Sequence, residues 1–91
     1  MRKLFSAAIF GVTRKAAGKG HASSQYNLGV MYAKGQGVTQ DFVQAHMWFN
    51  LAATKGEETA RKGLDLVAEE MTSAEIAEAQ RLAREWRPKK P

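Results

Sequence analysis

The residues of this chain able to carry out chemistry are few, and their spacing excludes more reactions than it supports. The 91 residues include no cysteine, so disulfides, thiolate nucleophiles and zinc thiolate sites are excluded, and the redox compartment cannot be read from cysteine usage. A Ser-x-x-Lys nucleophile needs a lysine one helical turn after the serine. Ser6, Ser23, Ser24 and Ser73 are followed at that place by Ile9, Tyr26, Asn27 and Ile76. His21 and His46 are 25 residues apart and lack metal-ligand spacing; His21 falls where a helix cap would sit, and His46 beside an apolar stripe. Gly35-Gln36-Gly37 is no phosphate cradle, because it closes a helix where such a loop would open one. The residues predict no catalytic group, no metal and no cofactor.

Charge is distributed by position. Residues 1–19 carry five basic groups and no acid, residues 20–80 four basic against eight acidic, and residues 81–91 five basic against Glu85. The formal net charge of +5 therefore belongs to the two ends, while the body between them is net −4. That distribution argues against a nucleic-acid groove along the body. Arg81, Arg84, Arg87, Lys89 and Lys90 have two readings, contact with phosphate or an anionic membrane surface and, the one expected here, solvation beside a helix C-terminus, where cations are favourably placed.

The elements that must position these residues all show helical spacing. From Ala22 to Lys34, Ser24, Leu28, Met31 and Tyr32 share one face, with Gly29 beside them to admit a close neighbouring backbone. Gly35 and Gly37 end that helix, the first as a left-handed cap and the second as a turn residue. Asp41 caps the next helix with Gln44 reaching back, and Ala45, Trp48, Leu51 and Ala52 form the stripe that faces the first. A third helix, Glu57 to Met71, places Ala60, Leu64, Val67 and Ala68 on one side. The fourth starts at the Thr72-x-x-Glu75 capping box and runs to Trp86 through Ile76, Ala79, Leu82 and Ala83, before Pro88 ends the pattern. This last helix is expected to cover the exposed end of the third. The reading is all-α, with no sheet.

Two stretches align when shifted by 36 residues: Ala16-Ala17 with Ala52-Ala53, Lys19-Gly20 with Lys55-Gly56, and Leu28 with Leu64. A period of that length marks a stacked repeat array. Within one period the chain reads Leu28, Gly29, Tyr32, Gly35, Gly37, Val38, Asp41, Ala45, Trp48, Ala52, Ala53 and Gly56. This pattern resembles the Sel-one-like repeat, a longer relative of the tetratricopeptide repeat. The resemblance covers Ala16 to about Gly56 well and the following stretch in part, since Asp65 stands where Gly29 was and Ala68 where Tyr32 was. Met71 to Arg87 resembles the closing helix of short bacterial members. The resemblance implies an α/α solenoid fragment of tetratricopeptide-like helix pairs with a C-terminal capping helix. It also implies a non-catalytic interaction module whose concave face is lined by first helices, and hence a protein or peptide partner. On the helix Ala22–Lys34 the residues left for that face are Ser23, Tyr26, Asn27, Val30, Ala33 and Lys34. Some exported relatives staple each repeat with a disulfide, so the missing cysteines tilt the reading toward a cytoplasmic setting or a stable reduced scaffold. The Ser-x-x-Lys signature required by the β-lactam-active reading discussed for some relatives is missing.

The expected organisation is an N-terminal basic and apolar segment, 1–19; a full repeat, 20–56; a degenerate repeat helix plus capping helix, 57–87; and a tail, 88–91. At this size about 60–65% of the unfolded chain's surface is buried on folding, so the array is either minimally capped or leans on a partner. The segment Leu4 to Val12, behind Met1-Arg2-Lys3, has two readings. It is either a helix packed on the first repeat or an export signal or anchor that makes the chain an exported or membrane-associated envelope protein. It is too short to span a bilayer as a helix. Membrane contact is therefore expected only through residues 1–19.

Overall fold

The computed structural model describes residues 2–89, and side chains from Phe5 onward. Five helices follow one another: α1 (Arg2–Gly18), α2 (Ala22–Lys34), α3 (Phe42–Thr54), α4 (Glu58–Ala68) and α5 (Ser73–Glu85). No strand occurs among the described residues. Lys90 and the C-terminal Pro91 lie outside the described residues.

Local chemistry sets the helix ends. At the end of α1, Lys19 N–H donates to Ala16 O, Gly20 N–H to Ala17 O and His21 N–H to Ala16 O; 36 residues later Lys55, Gly56 and Glu57 donate to Ala52, Ala53 and Ala52. Gly20 and Gly56 share φ values of 99° and 98°, so the period seen in the sequence is also a period of backbone geometry. Gly35 and Gly37 both have positive φ, 70° and 73°, which allows α2 and α3 to reverse direction over a short turn. A Cβ on Gly37 would run into the backbone carbonyl of Ser6, so α1 seats directly on that turn. Asp41 Oδ1 accepts from Gln44 N–H at 3.1 Å, forming the capping half of the expected pair. Thr72 and Glu75 form both halves of a capping box.

Helix α3 is the hub, packing against α2, α4 and α5, while α1 packs on α2. Two cores run along it. One gathers Ala45, Phe49, Ala52, Ala60 and Val67; the other gathers Ala17, Leu28, Met47 and Trp48, with Phe10, Leu51, Leu82, Ala83 and Trp86 packed on it. The single stripe expected on α3 is thus split. Ala45 and Ala52 face α2 and α4, whereas Trp48, 8% exposed, belongs with Leu51 to the other core, because the helix is wrapped on opposite sides. Phe49 provides the first core's centre. A Cβ on Gly29 would lie 2.6 Å from its ring, and one on Gly63 would lie 2.9 Å from it, so the ring is held between glycines of two helices. Gly29 therefore admits an aromatic ring, where the spacing had predicted a backbone. In α4 the glycine that meets Phe49 is Gly63, while Asp65, which the 36-residue shift pairs with Gly29, is exposed.

Helix α5 corrects one expectation. It caps the array by docking on α3 rather than by covering α4. Trp86 meets Trp48 edge-on, with ring centroids 5.9 Å apart, and the tail is tied back by Lys89 N–H donating to Gly18 O at 2.8 Å. This leaves the outer face of α4 uncovered, and Leu66 is 65% exposed there.

Candidate functional site

The six residues expected on the concave face differ in their surroundings. Tyr26 is half-buried and its ring packs on Phe49, centroids 5.7 Å apart. Ala33 likewise leans on the first core. Ser23, Asn27 and Lys34 are exposed. Asn27 and Val30 line an open groove of about 390 Å³ between α1 and α2, whose far wall is formed by Phe5 and Ile9 and whose end is closed by Gln36. Phe5 is 69% exposed and Ile9 42%. The groove therefore presents apolar area on one side and a primary amide on the other, a combination suited to an extended peptide.

A larger cavity, about 740 Å³, lies where the two ends of the chain meet. Phe10, Trp48 and Trp86 supply its apolar walls, Arg14, Lys15 and Lys19 come from α1 and the turn after it, and Arg87 and Lys89 come from the tail. Lys55 secures this junction: its ammonium donates to Gly20 O and lies 5.8 Å from the Trp86 ring centroid. Arg87 donates to the carbonyls of Arg84 and Trp86 at 3.0 and 2.8 Å, which stiffens the exit of α5. The cavity and the groove have no lining residue in common. Sequence spacing did not reveal this cavity, because its residues are separated by most of the chain; the signal available was the concentration of cations at both ends.

The described tail cations Arg81, Arg84, Arg87 and Lys89 are exposed, as expected. Arg81 pairs with Glu78 at 2.5 Å and Glu85 at 2.8 Å along α5, which lowers the Glu78 carboxyl below its ordinary value through the Arg81 hydrogen bond. Arg87 and Lys89 instead line the cavity beside α1.

Neither histidine is placed for metal chemistry. His21 is the N-cap residue of α2 with no side-chain cap bond. His46 is buried, and burial pushes its imidazole below the ordinary 6.5. No group of three or more His, Asp or Glu able to hold a metal is present among the described residues. Burial likewise pushes the Tyr32 hydroxyl above its ordinary 10.0, where its ring meets Phe10 edge-on at 5.6 Å. Gln25, fully buried, bridges the helices by donating to Ala17 O at 3.3 Å.

Paired antiparallel helices in sequence order, a repeated turn geometry and a docked terminal helix define an α/α repeat protein of tetratricopeptide-like architecture. The family model of the Sel1 repeat matches residues 22–57, which span α2, the glycine turn, α3 and the following Gly56 turn. Over 51 residues the chain is 45% identical to chitin synthase regulatory factor 3 of Schizosaccharomyces pombe. That stretch is 56% of this chain and 6% of the yeast protein, so the similarity is to one small part of a much longer molecule.

Proposed function

We propose that this chain is a non-catalytic interaction module, an adaptor that binds a peptide segment of a protein partner in the groove between α1 and α2. Sel1 repeats are typically protein-interaction modules, and the observation that carries the reading to a surface is the groove itself. Phe5 and Ile9 stand exposed on one wall, opposite Asn27 and Val30 on the other. Large exposed apolar groups beside a hydrogen-bonding amide are costly to leave solvated and useful when covered. Of the six face residues, Ser23, Asn27, Val30 and Lys34 are assigned to contact, and Tyr26 and Ala33 to support.

The test is co-purification from the cell of origin with the intact chain as bait, compared with an Ile9→Ser/Asn27→Ala variant. Tyr26 is left intact because its ring supports Phe49. Loss of a specific band with unchanged helical signal supports the groove; a retained band refutes it.

A second reading, association with an envelope membrane through residues 1–19, rests on Phe5, Ile9 and Val12. They recur at helical spacing along the exposed side of α1, with Val12 73% exposed. Among the described residues no helix is long and apolar enough to cross a membrane, so contact of this kind would place α1 in the plane of the interface. Flotation with anionic vesicles that is abolished by Phe5→Ser/Val12→Ser would favour it over the peptide groove.

A further inference from the structure

We propose that the cavity between α1 and the tail is a second recognition site, which takes an acidic peptide segment carrying an aromatic side chain. The inference goes beyond the peptide groove, since the two sites have no lining residue in common. Folding brings together cations that the sequence keeps at opposite ends. Arg14, Lys15, Lys19 and Lys89 surround the cavity without an acidic residue in its lining or an ion-pair partner among the described residues. Four cations held close together repel one another and are relieved by an anionic occupant.

The walls decide what kind of anion this is. Phe10 and the edge-to-face indoles of Trp48 and Trp86 make the interior apolar and aromatic. A volume of about 740 Å³ matches sites that enclose one compact group. An aromatic side chain packs on the wall made by Phe10 and the two indoles while neighbouring carboxylates reach the ring of ammonium and guanidinium groups. Extended nucleic acid suits the surface less well, because any strand leaving the cavity runs onto a repeat body that is net −4.

The chain's two tryptophans both line this cavity, so intrinsic fluorescence reports on it directly. The full chain is titrated with a capped Asp-Glu-Phe-Glu-Asp peptide. In parallel arms it is titrated with the same peptide bearing Ala for Phe, with the neutral Asn-Gln-Phe-Gln-Asn peptide, with inorganic phosphate and with an eight-nucleotide oligothymidine. The expected result is a saturable change in tryptophan emission with the first peptide, affinity falling with salt, and weaker binding in every other arm. Arg14→Glu/Lys89→Glu, two exposed positions, should weaken the peptide about tenfold with melting temperature unchanged. Ile9→Ser/Asn27→Ala should leave it unaltered, which separates this site from the groove. Absence of a saturable change overturns the proposal, as does equal affinity for the Ala-substituted peptide or for the charge-reversed variant, or tighter binding of the oligonucleotide.

Discussion

Replacing Gly29 by alanine adds one methyl group and should nevertheless destabilise the protein. In an ordinary helix interior the change is favourable by about 1 kcal/mol, because glycine's backbone entropy is no longer lost on folding. Here the new Cβ would lie 2.6 Å from Phe49 Cδ1 and 2.7 Å from Cε1, roughly an ångström inside the 3.5–4.0 Å optimum for carbon contacts. The ring has little room to withdraw, since it lies so close to the Gly63 backbone that a Cβ there would be 2.9 Å from it, and Ala45, Ala52, Ala60 and Val67 pack around it. Overpacking of this kind costs about 1–3 kcal/mol, so the net expectation is a loss of up to about 2 kcal/mol. In a domain of this size that lowers the melting temperature by up to roughly 15 °C. Gly11→Ala provides the internal control: Gly11 lies inside α1 with nothing within 4 Å of a built Cβ, and the same substitution there should raise the melting temperature. Phe49→Leu should relieve the clash, so that Gly29→Ala costs little in that background. Thermal and urea melts followed by far-ultraviolet circular dichroism give all four values. A Gly29→Ala protein as stable as Gly11→Ala would refute the idea that the ring is clamped between two glycines.

Trp48→Ala removes the side chain that joins α3 to α5 and should cost roughly 3–5 kcal/mol, seen as loss of cooperative melting. Valine at Gly35 should be worse than asparagine, which tolerates the left-handed region at φ 70°, whereas at Gly37 both should fail because any Cβ meets the Ser6 carbonyl; parallel melts distinguish the two turns. His46, held below 6.5 by burial, binds its proton more readily in the unfolded chain. Its contribution to stability is therefore complete above pH 6.5 and is lost as pH falls from 6.5 toward the lower folded-state value. His46→Leu should flatten that part of the stability profile in urea melts. Ending the chain after Met71 strips α5 and Trp86 from Trp48, and the fragment should show red-shifted emission and poor solubility.

Much of this architecture was legible because it is local. Helix spans follow from apolar periodicity, and their ends from groups within a few residues of one another: Thr72 with Glu75, Asp41 with Gln44, and the positive φ of Gly35 and Gly37. The Sel1 repeat is legible for the same reason, since a repeat is a pattern of local signals at a fixed spacing. The facing of helices is different in kind. Whether α5 lies on α4 or on α3 is decided by which apolar face is larger and better shaped to receive Leu82, Ala83 and Trp86, and the Trp48 and Leu51 side of α3 receives them. That Phe49, rather than Trp48, is held between Gly29 and Gly63 depends on the relative rotation of three helices, which helical spacing on any one of them does not encode. The groove at Asn27 was half visible, because Asn27 and Val30 lie on a predicted exposed face, but its other wall comes from Phe5 and Ile9 on α1. The basic cavity depends most on tertiary structure. Sequence alone determined that cations gather at both ends; only the docking of α5 on α3, with Lys89 N–H bonded to Gly18 O, brought those ends around one pair of tryptophans, because charge adds up in space rather than along the chain.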